Sequence, residues 1–183
     1  KHSGFLSLSA LQFVTDRIGY AAGAQALLKT TDGGETWTSL ESPFSTSPHI
    51  VRLVFLDAQT GFIIGSESPV YKTTDGGKNW RMVESRFKEA TAGYFINNDI
   101  GFLCGADANA ILKTVDGGET WETLNLNLAN PYGRVFVDIY FTSDQKGFLL
   151  DRNGVIYTSE NGGANWERKT SIERTATRLY FTG

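Results

Sequence analysis

The chain has 183 residues, a formal net charge of -3 and a pI near 5.4, with 40 per cent apolar and 13 per cent aromatic residues. That composition supports a packed core and excludes a disordered chain, and the acidic balance argues against a surface built for nucleic acid or anionic membranes. A single cysteine, Cys104, excludes an intramolecular disulfide framework and reads as a small apolar residue in a strand, and no apolar run approaches the roughly 20 residues needed to span a bilayer.

The first repeat predicts strands over 10–14, 19–23, 26–30 and 37–41. Each is a short run of apolar, β-branched or aromatic residues bounded by Gly, Asp, Thr and Ser turn signals. The second predicts 50–56, 61–65, 70–74 and 80–84, and two more stretches parse the same way. No segment sustains the 3.6-residue apolar period of an amphipathic helix, so an all-β chain is expected.

Two phrases mark the period. Thr30-Thr31-Asp32-Gly33-Gly34-Glu35-Thr36-Trp37 returns as Thr73 to Trp80, as Thr114 to Trp121, and more loosely as Ser159-Glu160-Asn161-Gly162-Gly163-Ala164-Asn165-Trp166. The tryptophans are 43, 41 and 45 residues apart. In phase with them, Phe13, Phe55, Phe95 and Phe141 each stand six residues before a glycine (Gly19, Gly61, Gly101, Gly147). Four strands per unit of about 40 residues is the arithmetic of a β-propeller blade. The expectation is one array over residues 1–183 with repeats near 5–42, 47–85, 89–125 and 133–170. Residues 174–183 start a further first strand, with Phe181 in the place of Phe13. A piece of a longer propeller, a closed four-blade ring and two chains sharing one ring are all open at this level.

The repeated turn has a physical reading. Asp or Asn accepts backbone N–H groups two residues on, glycine takes the positive φ of a tight turn, and tryptophan anchors the hairpin by its apolar area. Asp32 with Trp37, Asp75 with Trp80, Asp116 with Trp121, and Asn161 with Trp166 are therefore expected to be structural. One carboxylate per turn does not suit a hard cation, which takes several oxygens.

The phrase Ser/Thr-x-Asp-x-Gly-x-Thr-Trp resembles the Asp-box, or bacterial neuraminidase repeat. The first and third copies match every fixed position, while the second has Asn79 and the fourth has Asn161 and Asn165. Together with the Gly-Phe/Tyr phrase it is most similar to the photosystem II stability/assembly-factor-like group of Asp-box propellers. That resemblance implies a non-catalytic scaffold for a protein partner and an address outside the cytoplasm, although the chain, which opens Lys1-His2-Ser3-Gly4, carries no signal-peptide pattern. Asp-boxes also occur in sialidases and xyloglucan hydrolases, so a glycan-binding module or a glycoside hydrolase is the alternative.

Site candidates come from what differs between repeats. Aligned on the strand-end phenylalanine, one position reads Ala10, Arg52, Ala92, Asp138 and Arg178. Regular strand alternation puts it on one face with Ile50 and Phe136, expected to line a central channel. Arg52 and Arg178, with Arg134 and Arg174, are expected to offer guanidinium groups to carboxylates of an acidic protein segment. The longer inter-repeat loops add Phe44 and Tyr132 as apolar anchors. Two histidines, His2 and His49, and no Gly-x-Ser-x-Gly phrase leave a zinc centre or a Ser–His–Asp triad unsupported. Asp138, Asp151, Glu67 and Asp107 form no evident pair for glycoside hydrolysis, and the Arg-Ile-Pro phrase usual in sialidases is missing. No cofactor is expected. A second copy of the chain, completing a ring, stays open as a partner alongside the fragment and the closed four-blade ring.

Overall fold

The computed structural model describes residues 8–23, 26–44, 49–66, 69–84, 90–106, 110–126, 135–172 and 177–179. The chain is an all-β propeller array of four blades, each a four-stranded antiparallel sheet with its strands adjacent in chain order. Blade 1 is β1 (Leu8–Phe13), β2 (Gly19–Gly23), β3 (Ala26–Thr30) and β4 (Thr38–Ser39). Blade 2 is β5 (His49–Phe55), β6 (Gly61–Ser66), β7 (Val70–Thr73) and β8 (Arg81–Glu84). Blade 3 is β9 (Ala90–Phe95), β10 (Gly101–Gly105), β11 (Ala110–Thr114) and β12 (Glu122–Asn125). Blade 4 is β13 (Phe136–Phe141), β14 (Gly147–Asp151), β15 (Val155–Ser159) and β16 (Glu167–Ser171). The chain divides into two compact units, Lys1–Lys88 with the first two blades and Glu89–Gly183 with the last two.

The Phe-to-Gly phrase has a direct cause. Phe13, Phe55, Phe95 and Phe141 pair across the sheet with Gly19, Gly61, Gly101 and Gly147. Each ring lies over its glycine. A Cβ on Gly61 would come within 2.4 Å of the Phe55 ring, and one on Gly147 within 2.6 Å of the Phe141 ring.

The repeated turn is a closed hydrogen-bond cycle. In blade 1 the Thr30 hydroxyl accepts the Gly34 N–H at 2.9 Å and donates to Asp32 Oδ1 at 2.7 Å. Asp32 Oδ1 also accepts the Thr36 N–H at 3.0 Å, and Trp37 Nε1 donates to the Gly34 carbonyl at 3.1 Å. Asp75, Asp116 and Asn161 accept the corresponding amides of Asn79, Thr120 and Asn165. Gly33 and Gly34, at φ 83° and 96°, occupy the left-handed region, as do their counterparts in the other three turns. The first of each glycine pair also donates its N–H to the turn between the first two strands: Gly33 to Arg17, Gly76 to Gln59, Gly117 to Asp99 and Gly162 to Gln145. Because the tryptophan indole folds back onto this turn, each fourth strand begins after it rather than at it.

Within each unit the blades meet along one seam. In the first, the Tyr20 ring stacks on Phe55 (centroids 3.5 Å apart, planes at 6°), and Lys29 Nζ lies over Tyr20 and donates to the Gly76 carbonyl at 3.1 Å. In the second, Phe102 stacks on Phe141 at 4.6 Å, and Lys113 Nζ lies over Phe102 and donates to the Gly162 carbonyl at 3.2 Å. First strands are tied as well. Gln12 exchanges two hydrogen bonds with the Phe55 backbone, and the Tyr94 hydroxyl donates to the Phe141 carbonyl.

Candidate functional site

Each first strand carries a register irregularity at one place, between Leu8 and Ala10, Ile50 and Arg52, Ala90 and Ala92, and Phe136 and Asp138. This bulge puts two residues opposite one and reverses which side chains share a face. Ile50 therefore joins Leu53 and Phe55 in the core of the first unit, while Phe136 joins Ile139 and Phe141 in that of the second. The expectation that Ile50 and Phe136 share a face with Arg52 and Asp138 is corrected: it assumed unbroken alternation.

The bulge also has a clamping role. The Ser9 hydroxyl donates to the Ile50 carbonyl at 2.7 Å, and the Thr91 hydroxyl to the Phe136 carbonyl in the other unit. Just past the bulge, Ala10 packs against the core of the first unit and Ala92 is fully buried in that of the second. A strand in a sheet stacked on its neighbours gives both faces to packing. For Ala10 and Ala92 the channel-wall expectation is therefore replaced by a seam position.

Asp138 is withdrawn from solvent, at 3 per cent exposure, and its Oδ2 accepts the Leu179 N–H at 2.7 Å. That oxygen ties a backbone amide 41 residues further along the chain to the first strand of blade 4. Arg178, beside that anchored residue, is exposed, and Arg52 in the first unit is half-buried. Phe44 is half-buried against the core of the first unit, with its ring edge-on to Tyr71 at 5.0 Å, so it is a packing residue there. Arg134, Arg174, Tyr132, Glu67 and Asp107 lie outside the described residues, as does Phe181. Cys104 is buried in the second unit, as a small apolar residue would be.

Electrostatics concentrates at the turns. The Thr36 hydroxyl and amide hold the Asp32 carboxyl well below the usual carboxylate range, and those of Thr120 do the same for Asp116. For Asp75 the Asn79 amide leads, bringing it down to about 2. Burial pushes the Tyr20 phenol up to about 12 and draws Lys29 down. Asp151, buried at the end of β14, accepts the N–H groups of Asn153 and Val155. Asp138 and Asp151 thus both accept backbone N–H groups.

Sequence reasoning passed over the seam residues Ser9, Gln12, Lys29, Thr91, Tyr94 and Lys113. One signal was available: lysine stands immediately before the repeated Thr in three copies, as Lys29, Lys72 and Lys113, with Thr158 in the fourth. A second feature lies on β1, where Leu11 and Phe13 are 64 and 42 per cent exposed. Leu53 and Phe55, their counterparts, are buried.

The family model described as Photosynthesis system II assembly factor YCF48 matches residues 6–88, 40–131 and 88–169. The photosystem II stability/assembly factor HCF136, chloroplastic, of Arabidopsis thaliana is 33 per cent identical over 75 residues, which are 41 per cent of this chain and 17 per cent of that protein. Among solved structures, YCF48 from Cyanidioschyzon merolae superposes with a TM-score of 0.68 at 20 per cent identity, over 92 per cent of this chain and 57 per cent of the other. A structure of YCF48 bound to D1 peptide gives 0.56 at 15 per cent identity, over 97 and 88 per cent. An ancestral GH74 enzyme gives 0.73 at 16 per cent, over 90 and 24 per cent. At these identities the structural likenesses establish the propeller fold. The chain spans just over half of the Cyanidioschyzon protein, and its match to the Arabidopsis relative about a sixth of that protein's length.

Proposed function

Because the chain belongs to the family described as photosynthesis system II assembly factor YCF48, we propose that it is a non-catalytic, protein-binding assembly scaffold working outside the cytoplasm. The observation that carries this reading is the family match itself, which runs from residue 6 to residue 169 and takes in all four repeated turns. The chemistry of the carboxylates agrees with it. Asp138 and Asp151 hold backbone amides, and the turn aspartates are engaged by their own loops.

The proposed partner is an extended protein segment bearing carboxylates. Arg52 in the first unit and Arg178 in the second supply guanidinium groups, whose planar donors match a carboxylate two bonds at a time. Arg134, Arg174 and Tyr132 belong to the same proposal. The D1 peptide named for a related protein is a suitable first probe. Arg52→Glu and Arg178→Glu, singly and together, are expected to weaken capture of that peptide while leaving the melting midpoint in place. Unchanged capture by the double variant would remove the arginine basis of the reading. Hydrolysis of aryl glycosides, lost on Asp138→Asn, would replace the scaffold with a glycosidase. The likeness to GH74 enzymes is one of fold and carries no such activity here.

A further inference from the structure

We propose that Asn153, in the turn between β14 and β15, is a site of spontaneous covalent modification, at which the side-chain amide leaves as ammonia and aspartate or isoaspartate remains. The other Asn-Gly pair of the same blade, Asn161-Gly162, is held in a form that resists this change. The modification requires no partner.

Asparagine is among the chemically labile residues, and a following glycine leaves the next main-chain nitrogen unshielded. Asn-Gly occurs twice in the chain, both times in blade 4. In the first step the Gly154 nitrogen attacks Asn153 Cγ and the Cγ–Nδ2 bond breaks. Nδ2 departs as ammonia, and the proton given up by the Gly154 nitrogen passes to solvent. A five-membered imide is left. Water then opens it at the γ carbonyl, giving aspartate, or at the α carbonyl, giving isoaspartate. Nothing is oxidised or reduced, and water is the co-reactant.

The turn at Asn153 leaves this path open. The residue is exposed, and among the described residues its side chain enters no hydrogen bond. Gly154 sits at φ 80°, and its N–H donates to the Asp151 carbonyl at 3.0 Å. That is the one bond the attacking nitrogen must surrender, and a turn at the tip of a hairpin opens locally.

At Asn161 both reacting groups are held. Its Oδ1 accepts the Ser159 hydroxyl at 3.0 Å and the Asn165 N–H at 2.9 Å. The Gly162 N–H donates to the Gln145 carbonyl at 2.8 Å, which ties it to the turn between β13 and β14. Three bonds must open here against one at Asn153, and each net hydrogen bond is a factor of roughly two to ten in such an opening. Every bond in this comparison is made within blade 4.

The change has a structural consequence. Asp151 is buried, and its Oδ1 accepts the N–H groups of both Asn153 and Val155 at 2.9 Å. Either product sets a second carboxyl two residues from Asp151. Isoaspartate also lengthens the main chain by one carbon just before Gly154, which pulls the Val155 N–H away from Asp151 and loosens the β14–β15 hairpin.

The full chain is aged at mildly alkaline pH, folded and in denaturing urea. Conversion is read by peptide mass and fragmentation, which separates the two sites because Tyr157 lies between them, and by labelling with an isoaspartate methyltransferase. In urea the two sites should convert at similar rates. In the folded protein Asn153 should convert about tenfold faster than Asn161, or more, and Asn153→Gln should remove most of the methyl-accepting product. Conversion of Asn161 as fast as that of Asn153 in the folded protein overturns the proposal, as does an Asn153 that converts in urea but not in the fold.

Discussion

Phe13 and Phe55 occupy the same place in the repeat, one exposed and the other buried against the preceding blade, so their alanine variants measure the seam. Phe55 is 4 per cent exposed and stacks on Tyr20, with Trp80 edge-on at 6.1 Å. Truncating it removes a whole ring from the core and leaves a cavity between blades, a loss of about 3–5 kcal/mol. Phe13 keeps its edge contact with Trp37 at 6.1 Å and is 42 per cent exposed. The area it loses supports only about 1–2 kcal/mol. The assay is urea unfolding followed by tryptophan fluorescence. With m near ~2 kcal/mol/M, Phe55→Ala moves the midpoint by about 1.5–2.5 M and Phe13→Ala by less than about 1 M. Equal shifts would mean that the seam adds nothing to the repeat's intrinsic packing, and the comparison between bare and covered faces would collapse.

Gly61→Ala should destabilise the first unit by about 1–3 kcal/mol through overpacking, because the new Cβ meets Phe55 at 2.4 Å. Gly19→Ala should cost less, since the exposed Phe13 ring can swing outward, and parallel urea titrations would reveal the difference. The depressed carboxyls of Asp32, Asp75 and Asp116 stabilise the fold fully above the unfolded carboxyl value, about 3.9, and that contribution is lost as pH falls through their folded values. Asp75→Asn should therefore flatten the fall in urea midpoint between pH 4 and pH 2, whereas Asn161 makes the fourth turn insensitive over the same range; an unaltered slope would count against the turn as its source. Asp138→Leu should speed hydrogen exchange of the Leu179 amide while the β13 amides keep their protection, and equal protection of Leu179 would show that Asp138 does not hold the tail.

The sequence by itself determined the blade. Phe-to-Gly spacing is dictated by a ring lying over its cross-strand neighbour, and the Asp-Gly-Gly turn by a carboxylate and hydroxyl closing on amides a few residues away. Such contacts lie within one repeat and recur in each copy, so their residues stand out as a period. The site was less legible. Alternation placed Ile50 beside Arg52, but a one-residue bulge reverses the face, and nothing in Val51 or Val137 announces a bulge. Asp138 read as a channel charge because its partner, the backbone of Leu179, lies 41 residues away and a backbone amide has no sequence signature. Leu11 and Leu53 look alike in the chain. Only the tertiary structure decided that one is buried and the other bare, because burial depends on the preceding blade and not on the residue itself.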